Sequence, residues 1–292
     1  MKIRKAVIPV AGKGTRFLPA TKQIPKEMIP ILNKPMIHYA VEEAVLSGIE
    51  EIVFVTSSGK ESIENYFDRN LELEAFLEAN NKTEYRDMIK KIGTQIEIVT
   101  VRQKEQLGLG HAVNCARSVV GDEPFAVILG DDLILNDPPA TKQLVDVFNQ
   151  VKGSVIGVME VKKEHTNKYG IIDGNFLEGS KVTLELKKMV EKPSPQDAPT
   201  NLATPGRYIF TSEIFDYLDK IPRGVGGEYQ LTDAINMMAQ NQSMYAHIYE
   251  GDRFDTGSLE GYFAATIDFA LRDEKMKDYA IKTMKQYLEK YD

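Results

Sequence analysis

The run Ile3-Arg4-Lys5-Ala6-Val7-Ile8-Pro9-Val10, followed by Ala11-Gly12-Lys13-Gly14-Thr15-Arg16, decides how this chain is read. An apolar, β-branched run that ends in a glycine-rich turn predicts a buried strand. The loop after it can offer backbone N–H groups to a phosphate. The same alternation recurs downstream. Helices are predicted over Met36–Leu46, with Ile37, Ala40, Val41 and Ala44 on one face, and over Glu61–Phe67, Gly110–Val119 and Thr141–Val151. Between them Ile52–Thr56, Ile96–Val101, Phe125–Leu129 and Ser154–Val161 read as strands. Strands apolar on both faces, alternating with helices, imply an α/β fold with a mostly parallel sheet.

After residue 160 the pattern changes. Val182–Val190 and Leu202–Phe210 read as strands with no long helix between them, which predicts an antiparallel extension of the first sheet. Helices follow over Thr211–Lys220 and Leu231–Gln240. Leu259, Tyr262, Phe263, Thr266, Ile267 and Ala270 share one face of a long C-terminal helix, and a charged tail helix runs to Asp292. Asn70–Gly93 carries two helical stripes, Leu73-Phe76-Leu77 and Tyr85-Met88-Ile89-Ile92, broken at Asn80-Asn81. It reads as an inserted helical hairpin. The expected organisation is one domain over residues 1–292, with the insertion at 70–93 and C-terminal helices over 258–292.

Composition narrows the function. The 292 residues are 42% hydrophobic and 27% charged, with a net charge of −7, an acidic balance that disfavours broad nucleic-acid binding. One cysteine, Cys115, can form neither an internal disulfide nor a cysteine zinc cage. No apolar run is long enough for a bilayer, and the N-terminal stretch is too short for a secretory signal, so the expectation is cytoplasmic with no membrane partner. Four histidines and no G-x-S-x-G leave no hydrolase triad.

The loop after the first strand fits neither familiar phosphate motif. Phe17 stands where the dinucleotide fingerprint needs its third glycine, and the second strand ends in Val55-Thr56-Ser57 without an acid. The P-loop Gly-Lys-Ser/Thr is missing. The loop is long, punctuated by Pro19, Pro25, Pro30 and Pro35, and carries Arg16, Lys22 and Lys26. Such a loop suits either a triphosphate clamp or a solvated basic surface. Gln103, before Leu107-Gly108-Leu109-Gly110-His111, can offer donor and acceptor to a base edge, although these glycines can also simply turn the chain. His111 reads as structural. Asp131 and Asp132 end an apolar strand, where α/β ligand sites form and where carboxylates with phosphates suit Mg²⁺. Asp255 can serve as an N-cap for the C-terminal helix.

The run Ala11–Pro30, AGKGTRFLPATKQIPKEMIP, resembles the signature of the sugar-nucleotide pyrophosphorylases. LGDD at 129–132, VEKP at 190–193, GRY at 206–208, GGEYQLTDA at 226–234 and RFDTG at 253–257 follow in the family's order. The resemblance spans Lys2 to about Leu271 and implies a Rossmann-like, glycosyltransferase-A-like fold. The hairpin at 70–93 points to the uridylyl branch, with UTP + α-glucose 1-phosphate ⇌ UDP-glucose + pyrophosphate as the implied reaction. By residue, the resemblance implies that Ala11, Gly12, Gly14, Thr15, Gln103, Gly108 and Asp132 hold the nucleotide. Gly170, Glu191, Lys192, Tyr208 and Glu228 would hold the sugar phosphate. Arg16, Lys26, Lys192 and Asp131 would carry catalysis, and Asp131 with Asp255 would bind Mg²⁺. A sibling transferase using dTTP, a non-catalytic UDP-sugar-binding paralogue and a metal-dependent glycosyltransferase are the alternatives. The last wants a D-x-D motif, whereas Asp131-Asp132 are adjacent. The charged amphipathic tail suits a homo-oligomer, dimer or tetramer.

Overall fold

The computed structural model describes residues 2–291. The chain opens with β1 (Lys5–Pro9), whose Ala6 and Ile8 face one layer and Val7 the other. Three short helical turns follow, Thr15–Phe17, Ala20–Lys22 and Lys26–Met28. A two-residue hairpin, β2 (Pro30–Ile31) and β3 (Lys34–Pro35), leads into α1 (Met36–Leu46). Then come β4 (Glu51–Thr56), α2 (Glu61–Phe67), α3 (Leu71–Ala79), α4 (Thr83–Ile92), β5 (Glu97–Arg102), α5 (Leu109–Cys115) and α6 (Arg117–Val120). The middle of the chain gives β6 (Phe125–Ile128), β7 (Asp132–Leu135), α7 (Ala140–Val151) and β8 (Val155–Glu160). The remainder gives β9 (Gly170–Phe176), β10 (Thr183–Glu191), β11 (Leu202–Thr204), β12 (Arg207–Phe210), α8 (Ile214–Leu218), α9 (Leu231–Ala239), β13 (Tyr245–Ile248), β14 (Asp252–Asp255), α10 (Leu259–Arg272) and α11 (Lys277–Tyr291).

Ten strands form one mixed sheet in the order β11-β9-β10-β13-β8-β12-β6-β1-β4-β5. β6, β1, β4 and β5 are all parallel. β12 runs antiparallel between β6 and β8, and the far edge is built from antiparallel β10, β9 and β11. One face of the sheet packs Val7, Val53, Val127 and Phe210 under α5, α8 and α9. The other packs Ile8, Ile52, Phe54 and Ile128 under α1, α2 and α7. This is the expected Rossmann-like α/β layering, flanked by helices on both sides. A separate ribbon of β7 and β14 pairs Asp132 with Asp255. Among the described residues no helix is long and apolar enough to cross a membrane.

Five expectations need correction. The strand predicted over Leu202–Phe210 is two strands, β11 and β12, broken at Pro205-Gly206. Gly206 has φ +124°, where a side chain would also strike Leu129. The helix predicted over Gly110–Val119 breaks into α5 and α6 at Ala116, and that over Thr211–Lys220 shortens to Ile214–Leu218. On α10 the packed stripe is Tyr262, Ala265 and Phe269, against Ile31, Met36 and Leu133, while Leu259 and Phe263 face outward. Ser258, not Asp255, caps α10, its hydroxyl accepting from Gly261 N–H.

Candidate active site

Two open hollows meet above the C-terminal ends of β1, β5 and β6. The first, about 1110 Å³, lies between the loop after β1 and the start of α5. Ala11, Gly12, Arg16 and Lys26 line one wall, and Gln103 and Gly108 the other. Gly14 holds the loop together from behind. Its φ of +64° is a left-handed turn, a Cβ there would press on Lys26, and its carbonyl accepts the Thr21 hydroxyl at 2.7 Å. Gly14, Thr15 and Lys22 line neither hollow. Gly108, at φ +98°, lets the Glu228 side chain and the Tyr229 backbone come close, and Leu107 O and Gly110 N–H bond Tyr229 N–H and O.

The second hollow, about 1030 Å³, is walled by Gly170, Glu191, Lys192, Tyr208 and Asp255. Gly170 leaves room for Met189 and for the Glu191 carboxylate, which accepts from the Thr232 hydroxyl at 2.7 Å. Lys192 follows β10 with φ +44°, a strained value for a non-glycine residue, and its backbone N–H is held by Tyr169 O at 3.0 Å. Such strain persists only where surrounding structure enforces it and is a pointer to function. Tyr208 is buried, with its hydroxyl 3.0 Å from that of Thr204.

Asp131, Arg16 and Glu228 border both hollows. Asp131 Oδ2 accepts from Lys26 Nζ at 2.5 Å, and Arg16 Nη2 lies 3.8 Å away. Burial alone would raise the Asp131 pKa; Lys26 and Arg16 outweigh it and hold the carboxyl below the usual range. Burial likewise opposes the Lys26 ammonium, but Asp131 and Glu27 keep its pKa above the ordinary lysine value. Glu27 is itself buried against Lys60 at 2.7 Å. For Asp132 burial wins: its pKa is pushed up to about 7 against the pull of an ion pair with Arg253, with Asp131 adding repulsion. Arg253 in turn donates to the Tyr169 hydroxyl at 2.7 Å and lies 4.8 Å from the centre of that ring.

Asp255 faces the same point as Asp131. A Cβ placed on Gly257 would lie 2.7 Å from Asp131 Oδ2, 3.0 Å from Arg16 Nη2 and 3.2 Å from Asp255 Oδ1. The glycine therefore leaves room between Asp131, Arg16 and Asp255, whose Oδ1 accepts from the Gly257 N–H at 3.2 Å. Hard oxygen donors in a space of that kind fit Mg²⁺, which takes few protein ligands when phosphates supply the rest. Among the described residues no group of three or more His, Cys, Asp or Glu is placed to hold a metal ion.

Several supporting residues escaped the sequence reading. Arg207, read there only as part of a lining segment, is fully buried beneath the carboxylate turn. It donates to Asp132 O at 2.5 Å and Leu129 O at 3.1 Å, and pairs with Glu43 at 2.8 and 2.9 Å. Glu43 also accepts the backbone N–H and the hydroxyl of Thr141. The available signal was a carboxylate inside the apolar helix Met36–Leu46. Gln106 ties its amide to Ala11 O at 2.8 Å, a contact that no local pattern announces.

The nucleotidyl transferase family pattern matches residues 5–271. A UTP–glucose-1-phosphate uridylyltransferase of Bacillus subtilis (strain 168) is 49% identical over 99% of this chain and 98% of its own length. One from Staphylococcus haemolyticus (strain JCSC1435) is 51% identical over 98% of each. Among solved structures, a UDP-glucose pyrophosphorylase complexed with UDP-glucose is 42% identical, with TM-score 0.86, covering 93% of this chain and all of the other. A UTP-bound enzyme of the same kind from Acinetobacter baumannii is 40% identical, with TM-score 0.90 and full coverage of both chains. Motif order, fold and near-complete coverage converge: the chain belongs to the nucleotidyl transferase family, in its UTP–glucose-1-phosphate uridylyltransferase branch.

Proposed function

We propose that this chain forms UDP-glucose and pyrophosphate from UTP and α-D-glucose 1-phosphate. The observation that carries this reading is the junction of two hollows at Asp131, with cations in the first and a carboxylate–lysine pair in the second. UTP occupies the first, its base between Ala11-Gly12 and Gln103-Gly108, Gly14 and Thr15 shaping the loop around its phosphates, and Asp132 at the ribose corner. The sugar phosphate occupies the second. Glu191, Glu228, Tyr208 and the Gly170 backbone face its hydroxyls, and Lys192 its phosphate.

In the reaction a phosphate oxygen of the sugar phosphate attacks the α-phosphorus of UTP. The bond from that phosphorus to the bridging oxygen breaks in line, and pyrophosphate leaves. The attacking oxygen is already anionic, so no general base is needed; the obstacle is repulsion between two polyanions. Lys192 positions the attacking phosphate. Arg16 and Lys26 take up charge on the β- and γ-phosphates, where low dielectric strengthens each contact. Asp131 and Asp255 would hold Mg²⁺, which supplies charge neutralisation at the phosphate oxygens when bound. The same reading makes residues 1–292 one functional unit, cytoplasmic, and assembled as a dimer or tetramer through outward apolar side chains such as Phe263, Tyr287 and Leu288.

Pyrophosphate release over a matrix of UTP, dTTP, CTP and ATP with glucose and galactose 1-phosphates, in Mg²⁺, tests the proposal. Turnover concentrated on UTP with glucose 1-phosphate is the expected result. A dTTP preference would move the chain to a thymidylyl activity. Silence across the matrix would leave a UDP-sugar-binding protein without catalysis.

A further inference from the structure

We propose that His111 is the positioning residue that fixes which face of Gln103 the nucleotide base meets, and thereby selects bases carrying a ring N–H over bases with a ring acceptor. The inference rests on the reading that Gln103 borders the base. Gln103 is buried, and it lines the nucleotide hollow. Its Nε2 lies 3.2 Å from Gly108 O and 3.0 Å from His111 Nδ1.

A backbone carbonyl can only accept, so the atom beside Gly108 O is the amide nitrogen and not the amide oxygen. Its second hydrogen points to His111 Nδ1, which must then be unprotonated. The remaining ring proton of neutral His111 is on Nε2, and Nε2 faces Cys115 Sγ at 3.9 Å, a weak acceptor. The imidazole is steadied by the Tyr229 ring, at 6.2 Å between centroids. Both hydrogens of the Gln103 amide are thus consumed within the protein. The group left for a ligand is the carbonyl Oε1. It accepts from a pyrimidine N3–H, which uracil and thymine carry, and meets a lone pair on cytosine N3.

With Gly108 O alone, one amide hydrogen is freed and the side chain can rotate to offer a donor. Selectivity then falls because the wrong base no longer leaves a buried group unpaired.

The test is the ratio of kcat/KM for UTP to that for CTP at fixed glucose 1-phosphate and Mg²⁺. His111→Phe keeps a ring against Tyr229 and removes the acceptor; His111→Leu is a second variant of the same kind; His111→Asn restores an acceptor oxygen near Nδ1. The expected result is a UTP:CTP ratio lowered about ten- to hundredfold in His111→Phe and His111→Leu. The change should lie in KM for the nucleotide, with kcat for UTP nearly unchanged, and most of the ratio should return in His111→Asn. Gln103→Ala reports on the underlying reading and should collapse the ratio as well. If Gln103→Ala collapses it and the Phe and Leu variants do not, His111 has no positioning role and this inference fails alone. If Gln103→Ala leaves the ratio intact, Gln103 does not meet the base, and the base-site reading fails together with the inference.

Discussion

The two hollows are built by different rules. The nucleotide side comes mainly from two chain segments, residues 9–27 and 103–112, that follow β1 and β5, parallel strands on either side of β4. In a parallel sheet every strand ends on the same side, so loops after β1 and β5 must share a crevice. The sugar side takes Gly170, Glu191, Tyr208, Glu228 and Asp255 from five separated segments. It exists because β9 and β10 pair antiparallel with each other while β12 and β14 pair antiparallel with β6 and β7, far away in sequence. A crevice set by strand direction tolerates small register errors. A wall set by antiparallel pairing does not, because one residue of slip turns each side chain to the opposite face.

Arg207 joins the two constructions and is where the largest effect is expected. It lies on β12, yet it pairs with Glu43 on α1 and holds the Leu129–Asp132 turn. Arg207→Met leaves Glu43 buried without its cation and should cost about 3–5 kcal/mol in urea unfolding. Arg207→Met with Glu43→Met should regain most of that stability. Activity should stay low in the double variant, because the turn carbonyls have lost their donor. Recovery of both would show that the turn holds itself in place.

Asp131→Ala comes next, since Asp131 serves both hollows. Turnover should fall by roughly 10²–10³-fold or more in the pyrophosphate assay, by comparison with loss of a preorganised stabilising group. A near-normal enzyme would remove Asp131 from the shared centre. Lys192→Ala should separate the hollows. kcat/KM for glucose 1-phosphate should fall about 10²-fold, while the KM for UTP should be unchanged. Equal weakening of both substrates would mean that the walls are not independent.

The smallest effect belongs to the core under the nucleotide side. Burial, with a smaller contribution from Lys34, lowers the His38 pKa to about 4, and its Nδ1 is 3.0 Å from the Tyr66 hydroxyl. The unfolded chain binds this proton near the ordinary histidine value of about 6.5, and the folded chain does not. Stability should therefore be full above that value and decline as pH falls from about 6.5 toward 4. The steepest slope should be about 1.4 kcal/mol per pH unit. Urea midpoints between pH 7 and 4.5 for wild type and His38→Gln check this, and a slope unchanged in the variant would assign it to other groups.

Much of the parallel half was legible because its information is local. The limits of α1 and α2 follow apolar spacing, and Gly14 and Gly108 do occupy the left-handed conformations that glycine-rich turns suggest. The antiparallel half was less legible. β9 pairs with β10 over nearly its whole length and β14 with β7, but β9, β14 and β7 are short or partly polar and carry no periodic signal of their own.

The sequence by itself determined the layering of strands and helices and the glycine-rich loop, since each depends on residues within one or two turns of the chain. Only the tertiary structure decided that Ser258 rather than Asp255 caps α10 and that Asp255 meets Asp131 across Gly257. It alone placed Arg207 and Glu43 beneath the carboxylate turn and His111 behind Gln103. For the carboxylate turn the physical reason is distance along the chain. Hydrogen bonds and ion pairs between side chains about 100 or more residues apart, as between Glu43 and Arg207, follow strand order and pairing, which no local pattern of apolar and polar residues encodes.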